Sequence, residues 1–536
     1  MLDRAALLRL GKLVADDIAA GQPGPNCWAA SEVLEAHPDA VLDLIDMLVA
    51  EGRKKRPNES LASAYAYMIG QILDPLRMAQ ENGYAEAGQL LDAVRRTLLD
   101  LGTSGQVEPP LLLLILMQFS DAKLDPGPEL RQLMASLMEQ AGAKGGAGEG
   151  DEDFGSFIED LVGAADGDPF ALHAQIMEMA EALPEDHRAA MGIALLQSSE
   201  AAAREAAVGW LLDAAGEVRH AMATALGHAA RHGAVSGTML RRMIALRNLL
   251  PEPDRPALDQ AIQACRRNSV ECAPWPQPRI REVIVSGVDG AGTQSLFVLA
   301  GEERRHAIGC LLVKFGIGVR DAWARHGLAR ADADSFLEQV EGGIDVIRVG
   351  LDYVRIATAH FLAVNAASGT MPPFALLDFA ETAGLHALQP EPMPLDRVLG
   401  LLGADPEPDL LQPRTVAELL ESSRDLPDEF DFLDSWFEDG AEVEQLLAGK
   451  RRSRAKQEAL VRDTLLPKHA EKWAERLAWT ALALRHSEDE EPWQEFFVSA
   501  REVLAGRPMA EIPLMVHVAE VTVDAYLASR SGPRIF

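Results

Sequence analysis

The chain has 536 residues, with 50 Lys plus Arg against 82 Asp plus Glu, a formal net charge of -32, and 5% aromatic residues within a 48% hydrophobic total. This length is several times that of an ordinary domain, so several domains or an elongated repeat array is expected rather than one core. The acidic balance argues against the whole surface lying on DNA or on an anionic membrane.

Ala and Leu dominate the apolar residues, and both lose little side-chain freedom in a helix, so the class reads as mostly α and multi-domain. From residue 1 to 142 apolar residues recur at helical spacing between Pro/Gly/Asn breaks. Within this region Asn58 to Met78 opens on a capping residue and carries Leu61, Tyr65, Met68, Ile69 and Ile72 as one stripe. The aliphatic run Leu111 to Met117 is far short of the roughly 20 residues that cross a bilayer, so no membrane span is expected. The first residues lack a basic segment leading into an apolar core, which sets an expectation against secretion. Cys27, Cys265, Cys272 and Cys310 are too few and scattered for a disulfide framework, and a reducing cytoplasm fits them.

Ala141 to Asp153 is rich in glycine and acid, and a flexible linker is expected over 143–153. Residues 154–268 then form about six helical segments joined by short turns. Helices that each expose an apolar face must stack to bury it, the logic of an α-solenoid. Within them Glu217 to Gly227, with Val218-Arg219 followed by small residues and Ala225-Leu226-Gly227, resembles the first-helix signature of HEAT-like repeats. Met222 stands where that family more often has alanine. The resemblance implies a helical stack that serves as a scaffold or binding surface, and no activity.

Residues 269–385 read as a small inserted α+β unit. Three strands are expected, at Ile280 to Val288, Ser295 to Leu299 and Ala307 to Phe315, followed by helices at about 332–340, 344–367 and 373–383. A Pro- and acid-rich connector over 386–429, largely irregular with one short helix at 415–422, leads to a C-terminal helical bundle over 430–536.

The glycine-bearing turn Asp289-Gly290-Ala291-Gly292 could aim backbone amides at a phosphate. It lacks the third glycine of a dinucleotide fingerprint and the Gly-Lys-Ser/Thr of a P-loop, and a hairpin turn led by Asp-Gly is the favoured reading. If a second polar loop, from Lys314 to Trp323, lies beside it, Asp289, Thr293, Gln294, Lys314, Arg320 and Asp321 would line a cleft for a small anionic ligand. The competing reading is a structural ion pair from Arg320 to Asp321 or Asp289. His220, His228 and His232 share a helix face next to Arg219 and Arg231, and a solvated face is expected there rather than a metal site. Cys265 and Cys272 lack a second pair for zinc. No catalytic residue set, metal site or cofactor motif is recognised.

Phe430, Phe432, Trp436 and Phe437 alternate with acids, as in segments that dock an aromatic stripe into a partner's groove; packing inside the C-terminal bundle is the alternative. Between Arg219 and Arg330, 16 Lys plus Arg stand against 9 Asp plus Glu, a surplus of +7 that leaves -39 elsewhere. This island either meets an external anion or pairs with the chain's own acids. The leading expectation is a non-enzymatic cytoplasmic scaffold with a protein partner. Ligand binding or catalysis around 289–321 is the alternative, and nucleic-acid binding through 219–330 is the third reading.

Overall fold

The computed structural model describes residues 2–19, 24–81, 84–144, 158–302, 305–404, 410–448, 452–487, 489 and 491–531. It is 66% helical with one small antiparallel sheet set between helical regions, the mostly-α architecture with an α+β unit that composition and periodicity led us to expect. The chain forms two compact units, Met1–Ala207 with Leu527–Phe536, and Val208–Tyr526. The boundary falls inside the stretch 154–268 expected to form a single stack.

In the first unit the described helices are α1 (Arg4–Ala19), α2 (Pro25–Glu35), α3 (Ala40–Gly52), α4 (Glu59–Glu81), α5 (Ala85–Thr103), α6 (Pro109–Asp121), α7 (Pro128–Lys144), α8 (Pro169–Ala180), α9 (Glu185–Gln197) and α10 (Ala201–Ala207). The long helix α4 is central, with α1, α2, α3, α5 and α6 all packed on it. It starts where Asn58 Oδ1 accepts the Leu61 amide at 3.1 Å, a side-chain cap for an otherwise orphan donor. Leu61, Tyr65, Met68, Ile69 and Ile72, the five stripe positions, are all buried in the core. Helix α7 runs to Lys144, across the start of the expected linker; the rest of the linker lies outside the described residues.

The second unit opens with α11 (Gly216–Arg231), α12 (Gly237–Leu246) and α13 (Arg255–Arg267). Helices α11 and α13 pack together, with Gly227 facing Ala261. Arg219 is buried; its guanidinium bonds Asp254 at 2.7 Å and the carbonyls of Asp213 and Ala214, tying the start of α11 to the start of α13.

The sheet contains β1 (Ile280–Ser286), β2 (Thr293–Glu302), β3 (Arg305–Lys314), β4 (Gly318–Leu328) and β5 (Val346–Arg348), in the order β4-β3-β2-β1-β5 and antiparallel throughout. Helix α14 (Arg330–Glu341) covers part of one face, where Phe336 lies 6.2 Å from Phe297 and 5.7 Å from Trp323, centroid to centroid. Helices α15 (Leu351–Ser368) and α16 (Leu376–Ala383) lie on the other face. The chain continues through α17 (Leu395–Gly403), α18 (Pro413–Ser422), the single turn α19 (Leu426–Glu429), α20 (Ala441–Leu447), α21 (Arg454–Leu460), α22 (Ala470–Arg485), α23 (Trp493–Leu504) and α24 (Pro513–Ser531). Helices α22 and α23 pack together, with α17 against α22 and α18 against α23.

Two expectations need correcting. The segment from Lys314 to Trp323 is a tight turn at residues 315–317 followed by the fourth strand, not a long polar loop: Gly316 and Gly318 have φ of 75° and 106°, which makes both glycines turn residues. Residues 344–350 carry β5 and the entry to α15 rather than helix, because Val346–Arg348 finds ladder partners on β1. The connector is also more ordered than its prolines suggest, since Pro394 and Pro413 sit at helix starts, where a missing N–H costs nothing.

Candidate functional site

The turns β1–β2 and β3–β4 do lie side by side, with the Phe315 amide donating to the Gly292 carbonyl at 2.9 Å. Asp289 closes the first turn on itself. Its Oδ1 accepts the Thr293 amide at 2.7 Å, its own amide donates to the Thr293 carbonyl at 3.0 Å, and its carbonyl accepts the Gly292 amide at 2.9 Å. Burial pushes the Asp289 carboxyl up, against the opposing pull of the Thr293 amide, Arg476 and Lys314.

The register separates the six ligand candidates. Thr293 stands opposite Lys314, and Asp321 opposite Leu312, so these polar side chains share one half-buried sheet face with Ser286 and Ser295 beyond the reach of α14. Arg320 occupies the bulge that shifts register between Leu312 and Val313. Gln294 points the other way and is only 2% exposed. It donates to the Ser286 carbonyl at 2.9 Å and accepts from the Tyr353 hydroxyl at 2.7 Å, whose ionisation burial has pushed far up.

The aromatic segment lies on the first of these turns. Trp436 is fully buried and its Nε1 donates to the Val288 carbonyl at 2.7 Å. The Gly290 amide donates to Ser435 Oγ at 2.9 Å, and the Phe432 amide to Asp345 Oδ2 at 2.9 Å. Phe430 and Phe432 meet as a tilted pair at 5.4 Å, and both reach Phe496 of α23. Phe437 is half-buried.

Behind the turn sits a group that sequence reasoning did not single out. Glu438, buried, accepts from Trp473 Nε1 at 2.6 Å and Lys472 Nζ at 2.9 Å, and lies 2.9 Å from His469 Nδ1. Burial would raise its carboxyl, but Lys472 and His469 more than offset this and hold it below the usual range. Arg476, one turn along α22, is also buried; desolvation lowers its guanidinium despite the fields of Glu438 and Asp289. A visible hint was the spacing of Lys472 and Arg476 on either side of Trp473, which places two cations on a stripe that must face inward.

Elsewhere, His220 and His228 on α11 and His232 just after it are exposed, and no group of metal-ligating side chains occurs among the described residues. Cys27, Cys265 and Cys310 are buried free thiols and Cys272 is exposed; burial raises Cys310 to about 12, with Asp321 adding to the shift. In the basic island Arg219 pairs with Asp254, Arg247 with Asp259, and Arg241 and Arg242 both with Glu381. A groove of about 440 Å³ opens between the 248–255 connection and the end of α15, lined among others by Asn248, Arg255, Asn365, Thr370 and Gln389.

Three family models match separate stretches: an uncharacterised protein y4lR N-terminal domain at 26–127, a Y4lR second domain at 184–269 and a Y4lR C-terminal helical domain at 396–527. The sheet lies between the second and third of these. The chain is 25% identical over 494 residues to the uncharacterized protein y4lR of Sinorhizobium fredii (strain NBRC 101917 / NGR234), covering 90% of this chain and 91% of that protein. No solved structure matches.

Proposed function

We propose that this chain is a non-enzymatic scaffold or adaptor of the cytoplasm that holds a protein partner on a helical-repeat surface. The observation that carries the reading is Trp28 on α2, 68% exposed, beside α1 with its own exposed Leu8 and Leu13. An exposed tryptophan is the residue type that dominates binding energy at protein interfaces. The internal use of Asp289, Gln294 and Trp436 also supports it, because side chains bonded within the fold are not available to a ligand. Four unpaired thiols fit a reducing compartment.

A second reading rests on one arrangement: Thr293, Lys314 and Asp321 share a half-buried face that suits a small anionic ligand. Nucleic-acid binding through the basic island is the weaker alternative, since Arg219, Arg241, Arg242 and Arg247 are engaged with carboxylates. The test is quantitative capture from native lysate with the tagged full chain beside its Trp28→Ala and Lys314→Ala variants. A stoichiometric protein that drops about tenfold with Trp28→Ala and is retained by Lys314→Ala supports the scaffold. A small anion lost only from Lys314→Ala, with no protein captured, transfers the function to the sheet face.

A further inference from the structure

β4 is an edge strand, paired with β3 on one side only among the described residues. Edge strands offer unpaired amides and carbonyls to other chains. At its start this edge is closed: the Val319 amide donates to Asn365 Oδ1 at 2.8 Å. At Ala322 the amide is met by the neighbouring Asp321 carboxylate at 2.9 Å rather than by a strand.

The sequence beyond this point is Asp321-Ala322-Trp323-Ala324-Arg325, with Ala322 only 5% exposed and Arg325 the exposed end. Register with Leu312, Cys310 and Ile308 places Asp321, Trp323 and Arg325 on one face. The Arg325 guanidinium is held 5.5 Å from the Trp323 ring centroid and 5.8 Å from that of Phe336, exposed and with no carboxylate paired to it among the described residues. Read in the reverse direction the same five residues present the same Ala-Trp-Ala centre and opposite end charges. An antiparallel partner centred on Trp323 would therefore set Trp against Trp, Ala322 against Ala324, and each Asp321 against an Arg325.

We propose that β4 pairs with β4 of a second copy about a two-fold axis at Trp323, joining two sheets into one. Asp321 releases the Ala322 amide to the new ladder and takes Arg325 of the second copy. A two-fold interface repeats each contact, so one substitution acts twice. Charge complementarity selects this register, because sliding the strands until Arg325 meets Arg325 sets like charges opposite each other. The pairing does not depend on the scaffold reading, and either can fail alone.

The test is sedimentation equilibrium of the full 58.0 kDa chain from about 1 to about 100 μM, a range that covers weak interfaces. A concentration-dependent dimer is expected, weakened about 100-fold by Asp321→Arg or by Arg325→Asp, each of which creates two like-charge contacts, and restored by the double exchange. A Trp323→Cys variant in a Cys272→Ser background, mildly oxidised, should form a covalent dimer across the axis. A wild-type chain that stays monomeric, a dimer indifferent to both reversals, or no cross-link at position 323 would overturn the proposal. Capture of a different protein through β4, with no self-association, would also overturn it.

Discussion

Trp436 Nε1 donates to the Val288 carbonyl at 2.7 Å across 148 positions of sequence. Through this bond the aromatic segment and the glycine turn, two features that each read as an outward-facing site, occupy one another. The turn has become a socket for the C-terminal bundle, and Gly290 is there because backbone must pass backbone.

Gly290 is the most exacting of these positions, since a Cβ there would overlap the carbonyl oxygen of Ser435. Gly290→Ala should destabilise the second unit by about 3 kcal/mol, because neither backbone can yield cheaply. Gly316→Ala, at φ 75° with open space around it, should cost only about 1 kcal/mol of left-handed strain. Urea denaturation of the two variants side by side checks the ordering.

The buried carboxylates should respond with opposite signs. Glu438→Gln should cost about 3 kcal/mol at pH 7, having lost its pairs with Lys472 and His469. Its carboxyl is lowered by folding, so its contribution is complete above the unfolded value of 4.5 and is lost as pH falls through the lowered folded value. Asp289→Asn keeps the oxygen that accepts the Thr293 amide and removes a charge that folding disfavours. It should be neutral or stabilising at pH 7, with any gain vanishing below about pH 3.8, where the unfolded Asp is itself protonated. Melting temperature against pH for both variants decides this.

His360 lies 4.7 Å from the Trp479 ring, accepts the Met393 amide at Nδ1, and is pushed by burial down to about 4. The unfolded chain therefore binds a proton at 6.5 that the folded chain refuses until about 4. Stability should fall by about 2 kcal/mol between pH 7 and pH 5 from this group, and continue falling to about pH 4. His360→Gln should flatten that part of the profile; an unchanged slope would show that another group titrates there.

Gln294→Leu should cost about 2 kcal/mol, because it strands both the Tyr353 hydroxyl and the Ser286 carbonyl in the interior. The Tyr353→Phe/Gln294→Leu double variant should cost less than the sum of its parts by at least about 0.5 kcal/mol. Strict additivity in a thermal denaturation cycle would show that the two groups do not depend on each other.

Features decided by neighbours a few residues apart were legible beforehand. The stripe of α4, its Asn58 cap and the hairpin led by Asp289-Gly290 all follow from local periodicity and turn chemistry. β4 was not legible, because Gly316 and Gly318 with Arg320 and Asp321 read as a loop, and only pairing with β3 makes a strand of them. β5 has three residues, too few for any periodicity, and exists because β1 has an open edge.

By itself, then, the sequence determined the mostly-α class, the place where the sheet interrupts the helices and the chemistry of its first turn, since propensity and turn geometry act within a few residues. Only the tertiary structure decided what the polar and aromatic candidates do. Gln294, Asp289 and Trp436 are internal ties, whereas Thr293, Lys314 and Asp321 share a half-buried face. The physical reason is that a side chain's role depends on which distant groups desolvate it and bond to it, and Trp436 meets Val288 only once 148 positions of chain have folded back.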